Sequence, residues 1–223
     1  MNLIFLSSAP VVIILVYVYI RDKYEHEPMG LLLKTLLAGA LTVIPVMIVN
    51  SGIEGYRIHF RGYAQVAYIA FIVAGLVEEF FKFTALYLLI WKNREFNERF
   101  DGIVYAVFVS LGFALVENFM YVFTYGESAG YTRAFTAVPA HALFGVTMGY
   151  FFAQAKFRQT DRLLSFVKAL IYPVILHGLY DFILMSQHPY LLIVFIPFII
   201  YLWRAGFKKM KILSDGSRFR TMR

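Results

Sequence analysis

Apolar residues run along this chain in repeated stretches of close to twenty, separated by short polar segments. About twenty residues is the length needed to cross about 30 Å of hydrocarbon at 1.5 Å of rise per residue. On this basis seven helical spans are predicted, at about 3–20, 29–49, 64–91, 102–125, 132–155, 164–186 and 190–207. No loop between them has room for a soluble domain, and neither a low-complexity linker nor an internal repeat stands out. The expected fold is an all-α polytopic membrane protein of about seven transmembrane helices, one helical domain over 1–207 followed by a basic tail at 208–223.

Composition strengthens that picture. The 223 residues are 60% hydrophobic and 16% charged, and the mean hydropathy is +0.66. Soluble domains average about 45–50% apolar and about 25% charged residues, so the excess is too large for one aqueous core. The chain has no cysteine, which excludes disulfides, thiol nucleophiles and cysteine-based zinc or iron–sulfur sites. A net charge of +7 could suggest nucleic acid, but its distribution follows membrane topology instead. Fifteen lysines and arginines lie after spans one, three and five and in the tail, against three (Arg57, Arg61 and Arg133) on the opposite side. The positive-inside rule then places the N-terminus outside and the C-terminus in the cytoplasm, with the tail attracted to anionic lipid headgroups. The N-terminal run lacks the basic n-region and cleavage site of a secretory signal, and is read as a retained first span.

Against this apolar background a few polar residues fall inside the spans. Glu78, Glu79 and Lys82 sit in the third; Glu117 and Asn118 in the fourth; His141 in the fifth; His177 and Asp181 in the sixth. A charge at the bilayer centre costs at least about 2.5–3.5 kcal/mol on insertion scales, so the chain must supply partners or a polar cavity. Glu78 and Glu79 lie about 21 Å along a straight helix from the outer end of their span, and Glu117, His141, His177 and Asp181 fall in the outer half. One shared site, open to the outside, is expected. Glu78 and Lys82 share a helix face at i,i+4, as do His177 and Asp181, so that Asp181 can fix the tautomer of the imidazole. His141, Gly145 and Gly149 form a second face, a small-residue pattern that permits close helix approach. Lys82 is expected to neutralise one carboxylate and leaves the other in need of a purpose.

Two neighbouring carboxyls in a low dielectric titrate as a coupled pair and can hold an acid and a base at neutral pH, as water-activated hydrolysis requires. Two histidines with one or two glutamates match a catalytic zinc shell with an open position. They match a metal-free glutamate–histidine pair equally well. Buried Glu, His and Asp also build proton relays, so a proton- or cation-coupled transporter is the alternative; no polar ladder through the cytoplasmic half and no inverted repeat favours it. The chain has no H-E-x-x-H, G-x-G-D or G-x-S-x-G motif.

The ordered set Glu78-Glu79-x-x-Lys82, Glu117-Asn118, His141 and His177-Gly-x-Tyr-Asp181 resembles the PrsW family of bacterial intramembrane proteases. The flanking Tyr24-Glu25-x-Glu27-Pro28, Asp101-Gly102-Ile103-Val104-Tyr105 and Ser110-Leu111-Gly112-Phe113-Ala114 agree with it. The family looks distantly similar to the CAAX prenyl endopeptidases, whose block is E-E-x-x-x-R; here a lysine stands one position earlier. The resemblance implies a protease in the bacterial cell membrane that makes the first cut in a single-pass anti-sigma factor on its extracytoplasmic side, leading to sigma-factor release under envelope stress. It implies Glu78, Glu79 and His177 as catalytic groups with His141 beside them. Lys82, Glu117, Asn118 and Asp181 are the supporting candidates.

Overall fold

The computed structural model describes residues 2–158 and 161–222, and Arg223, the last basic residue of the tail, lies outside them. Every regular element among the described residues is helical. Helix α1 (Leu3–Arg21) starts at Asn2, whose side chain accepts a hydrogen bond from the Ile4 N–H at 3.0 Å. The second span is one run broken at Thr42 into α2 (Met29–Leu41) and α3 (Val43–Ile53), and closes in a 3-10 turn, Glu54–His59. The third is continuous but not uniform: α4 (Tyr63–Ala67), a π-helical stretch Tyr68–Leu76, then α5 (Val77–Ile90). Helix α6 (Arg99–Tyr125) opens on a capping box in which Asp101 Oδ2 accepts from the Glu98 N–H at 2.7 Å. There follow α7 (Glu127–Phe135), α8 (Ala137–Phe157), α9 (Arg162–Ser186), α10 (Pro189–Asp215) and a terminal 3-10 turn, Arg218–Met222.

Six of these runs are long and apolar enough to cross a membrane by length and composition: 3–21, 29–59, 99–125, 127–157, 162–186 and 189–215. The charged run 63–90 lies among them as the seventh expected stretch. Three boundaries differ by more than four residues from the expected ones. The second run continues past 49 through Ile53 and the turn Glu54–His59. The fifth span begins at Ala137, because Gly126 (φ 83°) turns the chain into the separate short helix α7, and Thr136 leaves helical geometry before α8 starts. Helix α10 continues beyond 207 to Asp215, because Met210 and Leu213 are buried in the core and hold the last turns, Lys208, Lys209 and Lys211 included, in place.

Helices α6 and α8 form the centre: 72% of the apolar window in each span is buried, against 22% in α1 and 11% in α10. The outer helices carry large exposed apolar side chains such as Ile13, Leu37, Leu88, Leu163 and Ile193, as a lipid-facing shell should. Small residues bring the central pair together. A Cβ on Gly149 would stand 2.2 Å from the carbonyl oxygen of Gly102, and one on Gly145 would stand 3.0 Å from that of Ala106. The His141/Gly145/Gly149 face therefore meets α6 as its spacing suggested. Since the obstacle is backbone, Gly149→Ala is expected to push α6 from α8 and destabilise the protein by about 1–3 kcal/mol, read as a lower unfolding temperature in detergent.

Candidate active site

The site grows from the π-helical stretch. A π-turn adds a residue per turn and rotates whatever follows it, and such bulges recur at functional sites. This one ends at Leu76 and delivers Glu78 and Glu79 in the first turn of α5. Gly75 lets that stretch press against α9: a Cβ there would stand 3.0 Å from the Val174 carbonyl oxygen and 3.3 Å from the Gly178 nitrogen. The close approach sets the glutamates beside His177, one turn of α9 away.

Lys82, fully buried, reaches back along α5 and donates to Glu79 Oε1 at 2.8 Å and to Glu78 Oε2 at 3.2 Å. Its ammonium also lies 3.3 Å from His141 Nδ1 and 4.1 Å from the centre of the Phe113 ring. An ammonium can only donate, so His141 Nδ1 accepts and Nε2 carries the proton. That Nε2 faces Glu117 Oε2 at 2.9 Å, and the Arg133 guanidinium donates to the same oxygen at 2.6 Å. Ser110 Oγ donates to the His141 carbonyl at 2.7 Å and holds α8 in register here. On the other side, His177 Nδ1 donates to Glu79 Oε1 at 2.9 Å, while Nε2 stands 3.3 Å from Asp181 Oδ2 and 3.9 Å from Glu78 Oε2. The ring of Phe144 stacks on His177 with centroids 5.0 Å apart and fixes its plane.

All of the sequence candidates except Asn118 thus join one connected cluster around the glutamate pair. Asn118 is one step removed: its Nδ2 donates to the Ser7 carbonyl of α1 and its Oδ1 accepts from Arg133 Nε, so it aims the arginine. The expectation that Lys82 serves one carboxylate is modified, since the ammonium spans both. Arg133 was missed as a site residue. Its position between two apolar runs reads as an exterior loop charge, and only the fold back of α7 brings it onto Glu117. Tyr121 and Phe144, which line the site beside the motif residue Tyr180, carry no sequence signal that separates them from lipid-facing aromatics.

The two glutamates differ in access. A polar cavity of about 90 Å³ is lined by Glu78, Glu117, Arg133, His141, His177 and Asp181, with Ala74, Phe144 and Tyr180 among its apolar walls. Glu79 and Lys82 do not line it and are fully buried behind it. A larger groove of about 590 Å³ adjoins it and shares Tyr121, Arg133, Ala137, Tyr180, Asp181 and Met185. Its remaining wall is α7 with the ends of α6 and α9, including Tyr125, Ser128, Thr132 and Gln187. The catalytic-looking groups therefore have an approach that is open at one side of the bundle and lined by both polar and apolar side chains.

Glu78, Glu79, His141 and His177 each offer one ligand atom, all within 4.8 Å of one another. Glu79 Oε2 is buried without a hydrogen-bond partner. Four carboxyl groups (Glu78, Glu79, Glu117 and Asp181) meet two permanent cations, Lys82 and Arg133. The balance lacks two positive charges, which either one divalent ion or two protons supply. The donor set therefore fits a metal ion.

A family profile described as PrsW family intramembrane metalloprotease matches residues 27–203. The chain is 36% identical over 219 residues to Protease PrsW of Halalkalibacterium halodurans, covering 97% of this chain and 99% of the relative. It is 34% identical to Protease PrsW of Clostridioides difficile, over 98% of this chain and 94% of that one, and 33% identical to Protease PrsW of Bacillus subtilis, over 91% of each. No solved structure matches the chain.

Proposed function

From the premise that the chain belongs to the PrsW family of intramembrane metalloproteases, a family of multi-pass bacterial membrane peptidases, we propose that it cuts a single-pass anti-sigma factor near the outer membrane face. The cut would be the first of two that release a sigma factor under envelope stress. The orientation rests on the fifteen-to-three asymmetry of basic residues, which puts the N-terminus outside and the open groove on the extracytoplasmic side. Family membership sets aside the transporter alternative.

The observation that carries the mechanism is the unequal access of the two glutamates. Glu78 borders the cavity and is the general base: it takes a proton from a water that attacks the scissile carbonyl carbon. His177, its Nε2 facing both Glu78 and Asp181, meets the oxygen on which negative charge develops. When the tetrahedral carbon collapses, the C–N bond breaks and the proton held by Glu78 passes to the departing amine. Glu79 acts through others, locking Lys82 and the imidazole of His177. Arg133 and Glu117 do the same for His141. A divalent ion held by Glu79, His141 and His177, whose ligand atoms converge beside Glu78, would polarise the carbonyl and acidify bound water, leaving Glu78 as the base.

Purified protein in lipid vesicles, incubated with a single-pass anti-sigma factor tagged at both ends, tests the reading. Expected is one cut on the vesicle face opposite the basic tail, lost on chelation and restored by Zn²⁺. A cut on the tail side overturns the orientation, and an intact substrate overturns the assignment. Cleavage that survives chelation removes the metal and leaves the carboxylate base.

A further inference from the structure

A second set of acidic groups lies at the far end of α6, away from the glutamate pair. Asp101 and Glu117 are both on that helix, about 24 Å apart at 1.5 Å per residue. The set comprises Asp22 at the end of α1, Glu25 and Glu27 in the loop before α2, and Asp101 in the first turn of α6. Sequence reading leaves these residues at span ends or in loops, where solvation is expected. In the structure Asp22, Glu27 and Asp101 are 1%, 3% and 0% exposed.

Their hydrogen bonding has one pattern. The carboxylates of Glu25, Glu27 and Asp101 each give one oxygen to the protein. Asp101 Oδ2 accepts from the Asn97 and Glu98 N–H groups, Glu27 Oε2 from the Tyr105 hydroxyl, and Glu25 Oε1 from Asn97 Nδ2. The other oxygen of each, Asp101 Oδ1, Glu27 Oε1 and Glu25 Oε2, is buried with no partner, as are both oxygens of Asp22. Glu25, Glu27 and Asp101 offer ligand atoms all within 4.8 Å of one another. Leaving buried carboxylate oxygens unpaired is among the costliest arrangements a fold can hold.

The charges that bear most on Asp22 and Glu27 are those of the other acids, Asp101, Glu98 and Glu25 among them. Lys156 senses Asp101, but its ammonium donates to the Trp91 and Asn93 carbonyls, and Arg218 acts on Glu98. Burial, reinforced by the charge on Asp101, pushes Asp22 up to about 8 and Glu27 up to about 10. The pocket is short of positive charge.

We infer that Glu25, Glu27 and Asp101, with the Asp22 carboxylate beside them, form a binding site for one hard divalent cation of the Mg²⁺, Ca²⁺ or Mn²⁺ class, tying the loop between α1 and α2 to the start of α6. The donors are oxygens alone, which suits those ions and not zinc or copper. Glu27 and Asp101 also stand close enough to share a proton, and a proton-sharing pair is the rival occupant.

The test uses full-length protein in detergent carrying His177→Ala, so that the other cluster lacks one of its imidazoles. After chelator treatment, Mn²⁺ is titrated and the free ion is followed by electron paramagnetic resonance. Expected are one Mn²⁺ bound per chain, displacement by Mg²⁺ or Ca²⁺, and a higher unfolding temperature with ion than without. Loss of even an outer-shell partner commonly costs 10–100-fold in metal affinity, so Glu27→Gln and Asp22→Asn should each weaken binding by at least about tenfold. Asp22→Asn leaves the capping box and the Tyr105 bond intact and guards against misfolding of the first variant. Folded protein that binds no Mn²⁺ overturns the site, and establishes the shared proton if Glu27→Gln is then the more stable form. Undiminished binding in both variants also overturns it.

Discussion

Glu78→Gln is expected to lower the cleavage rate by about 10²–10⁴-fold, the usual contribution of a positioned general base, while the protein accumulates and unfolds at nearly the wild-type temperature. The amide keeps an oxygen for Lys82 Nζ, which Glu78 Oε2 accepts from at 3.2 Å, and the residue lines the cavity and is not enclosed behind it. What the amide lacks is the capacity to take a proton from water. Glu79→Gln should lose activity as well, but for a different reason and with a different signature. Glu79 is fully buried and binds both Lys82 and His177, so its loss lowers the unfolding temperature together with the rate. His177→Ala removes the group facing the developing charge and should again abolish cleavage. Rates of a reconstituted protein against a tagged substrate, with thermal unfolding of each variant in parallel, separate the base from the residue that positions it. Cleavage retained in Glu78→Gln with loss confined to Glu79→Gln would reverse the two roles. Cleavage retained in all three would sink the proposal.

The membrane imposes most of what was legible beforehand. Because every span must satisfy its backbone internally and present about twenty apolar residues, the runs themselves outline the helices. The i,i+4 spacing of Glu78 with Lys82 and of His177 with Asp181 then survives as real contacts at 3.2 and 3.3 Å. Other features depend on where helices meet, which spacing does not encode. The π-stretch 68–76 reads as an ordinary apolar run; its changed helical register arises in contact with α9. Arg133 looks like a loop charge until α7 folds back and its guanidinium reaches Glu117 at 2.6 Å. Asp22, Glu27 and Asp101 look solvated until three chain segments close over them. In each case the missing information is tertiary burial of a polar group, and local pattern carries no measure of it.

Lys82→Met should be the most damaging single change in stability. Among the described residues Lys82 Nζ is the only ammonium bonded to either glutamate of the pair, and it is 0% exposed with Phe113 beneath it. Removing one partner of a buried ion pair costs about 3–5 kcal/mol, because the charge left behind has lost its counterion and cannot recover water. Here the methionine would leave two such groups with His177 alone between them. For a chain of this size a loss of that order lowers the unfolding temperature by roughly 10 °C. Activity should vanish too, since Lys82 also holds His141 Nδ1 at 3.3 Å. The decisive variant is the double one. Lys82→Met with Glu79→Gln deletes a charge of each sign and leaves Glu78 facing the cavity, so much of the lost stability should return while cleavage does not. Thermal unfolding of the two single variants and the double variant in one detergent gives the coupling energy directly. Additive losses would mean that the ammonium and Glu79 do not act as a pair, and the electrostatic account of the site would fall with them.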